Sequence, residues 1–222
     1  MQTLPVNEMF ETIQGEGAYT GTPSIFIRLQ GCPVGCPWCD TQQTWYVEEK
    51  DKISAKDMLA KQGDSPTWST LTVAEIMLVI EQQGYHAKHV VITGGEPCMY
   101  DLTELTTVLQ TAGYQCQIET SGTFEIKTHT DTWVTLSPKV NMKGKYPILD
   151  TCLARANEIK HPVATEQHII ELEALLARGD FTKLIYLQPI SQKSRATEFA
   201  IKTCIEKNWR LSIQTHKYLN IS

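Results

Sequence analysis

The chain has 222 residues, 41% of them hydrophobic, and a formal net charge of −5. That length and apolar fraction suit one sizeable domain, or two small ones at most, and the acidic balance leaves no basic excess for a nucleic-acid backbone, which disfavours such a partner. No apolar run is long enough to span a bilayer, and MQTLPVNEMF at the start lacks the basic and apolar regions of a secretory signal. A cytoplasmic, reducing setting is expected, where seven cysteines read as thiols or metal ligands rather than a disulfide framework.

SIFIRLQ (24–30) reads as the first clear strand. TVAEIMLVIEQQ (72–83) predicts a helix, with Thr72 and Glu75 at capping-box spacing and an apolar stripe of Val73, Ile76, Met77 and Ile80. HVVITGG (89–95) is a buried strand ending in glycines. DLTELTTVLQTA (101–112) is a helix with Asp101 as its expected cap. Strands follow at 115–120, 132–137 and 156–162, then a helix at 166–177, a strand at 183–189, a helix at 195–207 and a last strand at 210–216. Alternating strands and helices predict a mostly parallel sheet with helices outside. Irregular crossovers after 115–120 and 132–137 argue against a complete eight-fold barrel. An incomplete α/β barrel is expected, with an open doubly wound sheet as the alternative. In such folds the C-terminal strand ends share one face, and that face carries the site. Segments 31–40, 93–97, 119–122, 137–139, 188–191 and 215–217 all follow strands, so they are expected to converge.

The densest chemistry is GCPVGCPWCDTQQTW (31–45), where Cys32, Cys36 and Cys39 are spaced Cys-x3-Cys-x2-Cys. Gly31, Pro33, Gly35 and Pro37 make a tight turning loop, which three merely buried cysteines would not need. A zinc site wants a fourth ligand; Cys98, after the Gly-Gly-Glu-Pro turn, is its best candidate. An iron–sulfur cluster explains the count better, because three thiolates leave one iron of a [4Fe–4S] cubane open for chemistry. This spacing, with Trp38 before the third cysteine and TGGEP at 93–97, resembles the radical S-adenosylmethionine superfamily.

Further stretches narrow the resemblance: FETIQGEG (10–17), IRLQGC (27–32), CDT (39–41), SPK (137–139) and the closing RLSIQTHKYLNIS. Together they resemble the 7-carboxy-7-deazaguanine synthases, radical enzymes of queuosine and deazapurine biosynthesis. The resemblance implies a partial parallel β/α barrel of the radical S-adenosylmethionine type, one domain over 1–222. It implies a [4Fe–4S] cluster on Cys32, Cys36 and Cys39, S-adenosylmethionine, and Mg2+ at Thr41. Contacts to S-adenosylmethionine are implied for Trp38, Cys39, Asp40, Gly95, Glu96, Ser137, Pro138, Lys139, Gln188, Pro189, Ile190 and Ser191. Substrate contacts are implied for Ile13, Gln14, Gly15, Glu16, Arg28, Thr93, His216 and Ser222. Gln14 and Glu16 suit the donors and acceptor of a pterin edge; Arg28 offers a planar fork to a carboxylate. His216 is expected at the end of the last strand. Ser222 stands where the family carries a terminal proline. The implied reaction contracts 6-carboxy-5,6,7,8-tetrahydropterin to 7-carboxy-7-deazaguanine with loss of ammonia. The implied partners are a flavodoxin- or ferredoxin-type reductase and a second copy in a homodimer, with no nucleic acid and no membrane.

Residues 45–71 lengthen the connection after the cysteine loop, with a short helix expected within ISAKDMLAK and a loop at GDSPTWST. They read as a surface insertion, or as a flap or docking patch using Trp45, Tyr46 and Trp68. The rival readings of the whole chain are a glycyl-radical activase, which shares the cysteine spacing, and a zinc-stabilised binding module.

Overall fold

The computed structural model describes residues 2–179, 183–190 and 193–219. One nine-stranded sheet runs through them. Its strands are β1 (Thr3–Ile13), β2 (Pro23–Leu29), β3 (Ser69–Thr72), β4 (His89–Gly94), β5 (Gln115–Thr120), β6 (Trp133–Leu136), β7 (Glu158–Val163), β8 (Leu184–Pro189) and β9 (Arg210–Leu211). Their order is β3-β1-β2-β4-β5-β6-β7-β8-β9. β1 is antiparallel to both its neighbours, and every pairing from β2 to β9 is parallel. The sheet does not close, so the partial parallel barrel holds. The helices are α1 (Ala55–Leu59), α2 (Val73–Gln82), α3 (Thr103–Thr111), α4 (Asp150–Arg155), α5 (Glu166–Leu176), α6 (Ser194–Lys207) and α7 (Thr215–Leu219).

Strand alternation divides the sheet's two faces chemically. Ile25, Ile27, Leu29, Val90, Ile92, Ile118, Val134, Leu136 and Ile159 are fully buried and build the core with Ile76, Leu105, Leu109 and Leu172 of the helices. The opposite face, on the concave side, is buried yet polar. There His89 Nε2 meets Gln117 Oε1 at 2.8 Å, Gln117 donates to Thr135 at 2.8 Å, and Thr135 donates to Glu158 at 2.7 Å. Tyr19, on a short 3-10 turn, stacks on His89 and meets Trp133 edge-on, plugging the strands' N-terminal end. The chain of bonds satisfies most of this base, with His89 Nδ1 and Trp133 Nε1 left unpaired among the described residues, and the filled base leaves the open space at the C-terminal ends.

Thr72 caps α2 with the full capping box: its hydroxyl accepts from Glu75 N at 3.2 Å, and Thr72 N donates to Glu75 at 2.7 Å. Three local expectations are corrected, and one strand is added. α3 starts at Thr103, with Leu102 rather than Asp101 in the cap position, because fully buried Leu102 donates its N–H to Lys127 O at 2.9 Å; Asp101 instead accepts from Thr103 N at 3.0 Å. The added strand is the eleven-residue β1, ahead of the first strand legible in the sequence, its alternation hidden by Pro5, Asn7 and Glu8. Part of the expected loop at GDSPTWST is strand, since β3 pairs with Thr3–Val6. The last strand stops at Leu211, and His216 lies in the first turn of α7, because Thr215 N leaves the sheet to donate to Gly15 O at 3.1 Å.

Candidate active site

A cavity of about 1080 Å³ opens at the C-terminal strand ends. That is just above the usual range of small-molecule pockets, with room for more than one ligand. All six converging segments contribute to its wall, joined by residues of β1, the 45–71 segment and Lys160.

The cysteine loop is held from both sides. Gly31 N donates to Thr44 O at 2.7 Å and Cys32 N to Trp45 O at 2.9 Å. Gln30, fully buried, donates its amide to Gln43 O at 2.9 Å and Tyr46 O at 2.8 Å, and accepts from Asn7 at 2.8 Å. At the end of β4, Gly95 N donates to Leu29 O and Glu96 N to Gly31 O, at 3.0 and 2.8 Å. A Cβ on Gly95 would collide with Gly31 O and lie 2.9 Å from Cys32 Cβ, so only glycine lets the two loops close on each other. Trp45 Nε1 donates to Cys39 Sγ at 3.4 Å, and Thr41 Oγ1 lies 3.6 Å from the same sulfur.

Cys32, Cys36 and Cys39 all line the cavity. Burial pushes the Cys32 thiol up to about 11, and the adjacent Glu96, Cys36 and Cys39 add to it. Burial also raises Cys36, with Lys139 acting against it. Three soft donors lining one cavity have the chemistry of a metal–sulfur centre, although the described residues do not draw them together into a ready ligand group. Cys98, the zinc alternative's fourth ligand, is buried beside Glu96 and Cys152, and is not among the thiols raising Cys32 or Cys36.

Glu96 is 1% exposed, and both carboxylate oxygens are taken. Oε1 accepts from Cys98 N at 3.0 Å and Thr120 Oγ1 at 2.6 Å; Oε2 accepts from Ser121 N at 2.8 Å and from Ser121 Oγ. It clamps the 93–97 turn to the end of β5 with its charge beside Cys32.

At the far end, β-sheet register places Arg28 against Thr93. Arg28 Nε donates to Glu8 at 2.5 Å, and its terminal nitrogens have no hydrogen-bond partner among the described residues. Gln14, 2% exposed, donates to Glu119 at 3.2 Å and accepts from Glu16 N at 3.1 Å. Glu16 accepts from Lys160 at one oxygen, and from Gln214 at 3.0 Å and Gln188 at 3.3 Å at the other. Burial would raise the Glu16 carboxyl, but Lys160 outweighs it and brings it down to about 2. α7 straps this end shut: Lys217 Nζ donates to Asp40 at 3.4 Å, and His216 packs so close to Gly15 that a Cβ there would lie 2.6 Å from its Nδ1.

Of the implied site residues, Ile13, Gln14, Gly15, Glu16, Arg28, Trp38, Asp40, Thr41, Thr93, Gly95 and Glu96 line this cavity, as do Ser137, Lys139, Gln188, Pro189, Ile190 and His216. Pro138 is buried and does not line it, while Ser191 and Ser222 lie outside the described residues. Lys160 and Gln214 are the members that sequence reasoning missed. The signal for Lys160 was its two-residue offset from Glu158 in a strand that reads as buried, which puts opposite charges on one face.

Residues 26–139 match the family model of the radical SAM superfamily, and the unclosed parallel sheet with three thiols at its C-terminal mouth defines an enzyme of that class. Within it, the chain belongs to the 7-carboxy-7-deazaguanine synthase family. The relative of that name from Escherichia coli K12 is 56% identical over 220 residues, covering 98% of this chain and 99% of that one. The one from Buchnera aphidicola is 54% identical, covering 98% of each. The crystal structure of QueE from Escherichia coli superimposes with a TM-score of 0.94 at 55% identity, covering 96% of this chain and 95% of that one. The activase alternative is not favoured by these matches.

Proposed function

We propose that this cavity contracts 6-carboxy-5,6,7,8-tetrahydropterin to 7-carboxy-7-deazaguanine with loss of ammonia, a radical lyase reaction of queuosine and deazapurine synthesis. The observation that carries the reading is a single cavity with three thiols at one end and Arg28, Gln14 and Glu16 at the other. When bound, a [4Fe–4S] cluster on Cys32, Cys36 and Cys39 with S-adenosylmethionine supplies the hydrogen-atom abstraction that starts the rearrangement.

The remaining tasks fall to the chain. Asp40, Gly95, Ser137, Lys139, Gln188, Pro189 and Ile190, with Trp38, line the cavity and would hold S-adenosylmethionine. Glu96 orients the turn and would offer its negative charge to the methionyl ammonium. Arg28, with its terminal nitrogens open, takes the substrate carboxylate beside Thr93. Thr41 Oγ1 is the hard oxygen for Mg2+. α7 excludes water above the ring. Ile13, Gly15, His216 and Ser222 complete the substrate shell on the family resemblance. So do the flavodoxin- or ferredoxin-type reductase, the homodimer and a cytoplasmic setting; no helix among the described residues is long and apolar enough to cross a membrane.

The deciding experiment is anaerobic turnover of 6-carboxytetrahydropterin with S-adenosylmethionine and dithionite, product and ammonia measured together. Equal yields of deazaguanine and ammonia are expected. Cluster-loaded protein that cleaves S-adenosylmethionine yet leaves the pterin intact would overturn the reading.

A further inference from the structure

Among the described residues, Lys160 is the one buried cation that lies between two of the cavity's carboxylates. It is 4% exposed, on the concave face of β7. Its ammonium donates to Glu16 Oε2 and, at 3.2 Å, to Glu119 Oε1. Glu16 is fixed at both oxygens, the second by Gln214 and Gln188. Glu119 Oε1 also accepts from Gln14 at 3.2 Å, while its Oε2 has no hydrogen-bond partner among the described residues. Two carboxylates around one ammonium leave an excess negative charge in the cavity wall. The pyrimidine edge of a pterin carries adjacent N–H donors, which such a wall accepts.

We propose that Lys160 is a positioning residue, which holds Glu16 and Glu119 as a pair of ionised, fixed acceptors for the N–H edge of the pterin. This rests on the substrate reading above. Without the ammonium, two neighbouring carboxylates in a water-poor site share a proton. The shared proton turns one acceptor into a donor, which faces the substrate's own N–H groups and rejects them. The depressed Glu16 carboxyl agrees: burial works to raise it, and Lys160, with Gln214 and His216, more than offsets that. The other charged groups facing the cluster are Glu158 below it, already bonded to Thr135 and Ala18 N, and Lys139 and His216 above it.

The test uses cluster-loaded enzyme with S-adenosylmethionine and no reductant, so that binding is measured without turnover. 6-Carboxytetrahydropterin is titrated calorimetrically from about pH 5.5 to about pH 8.5, the window in which a raised carboxyl would titrate. The wild type should bind with an affinity that is flat in this window. Lys160→Met should bind roughly tenfold or more weakly at the acid end and recover as the pH rises. Lys160→Arg, which keeps the charge, should stay flat and within a few-fold of wild type. A Lys160→Met protein that binds as wild type, or one that is equally weakened at every pH, overturns the proposal. If Lys160→Met does not fold, Lys160→Arg and Glu119→Gln decide. Flat binding by the first with marked weakening by the second supports the pair, and wild-type affinity in Glu119→Gln overturns it. Wild type that binds no pterin at any pH would instead overturn the substrate reading.

Discussion

Gly95 and Glu16 are the residues on which the site's geometry turns. At Gly95 the backbone passes against Gly31 O with no room for a methyl group. Gly95→Ala is therefore expected to force the cysteine loop outward, costing about 1–3 kcal/mol as overpacking does and lowering iron content per chain. Urea unfolding of the protein before cluster loading, and iron analysis after it, check the two halves separately. Glu16 makes a prediction in pH. Its carboxyl is depressed to about 2 in the folded protein, so its contribution to stability is present above the unfolded value. That contribution is lost as pH falls through the folded value, and the affected window runs from about 4.5 down to about 2. Between pH 6 and pH 3 the wild type should lose more unfolding free energy than Glu16→Gln, by on the order of 1–2 kcal/mol. Parallel losses in the two proteins would show that the ion pair is not the source.

Among the elements, the 45–71 segment changes most in meaning. Met58 is 1% exposed and Trp68 4%, and β3 adds a strand to the edge of β1. Met58, Leu59 and Lys61 also line the cavity, and Lys61 donates to Asn7 O at 2.8 Å. The segment contributes to the wall of the site near the Arg28–Glu8 pair, which favours a role beyond an exposed loop. Deleting 50–68 is thus expected to reduce activity equally with dithionite and with a protein reductant. Retained dithionite-driven turnover would return the segment to a docking role. The capping box of α2 predicts a smaller effect: Thr72→Ala should cost about 1 kcal/mol in thermal or urea unfolding, with no change in iron content.

Across the molecule, the turn after β1 and the helix α7 meet over the cavity. β1 delivers Gln14 and Glu16, and α7 comes back to Gly15 through Thr215 N and to Asp40 through Lys217. Removing 215–222 should leave the thiols and their loop in place, so iron content is expected to stay near wild type. Pterin affinity should fall by roughly tenfold or more, because water enters above Glu16 and weakens every polar contact there. Calorimetric titration with iron analysis on the same sample separates the two.

The sequence by itself determined the parallel sheet, the place of the helices and the chemistry of the cysteine loop. These follow from local information: apolar periodicity, the Thr72–Glu75 cap and the spacing of Cys32, Cys36 and Cys39. It also pointed to one face for the strand ends, since parallel topology leaves those ends no other place. It did not reveal β1 as a strand, because polar residues interrupt its alternation, nor the turn of the chain out of the sheet after Leu211, which a distant acceptor at Gly15 decides. Only the tertiary structure decided that Lys160 stands between Glu16 and Glu119, residues 144 and 41 positions away. A buried lysine is written in sequence like any other, and becomes legible only when the fold brings it two carboxylates and takes the water away.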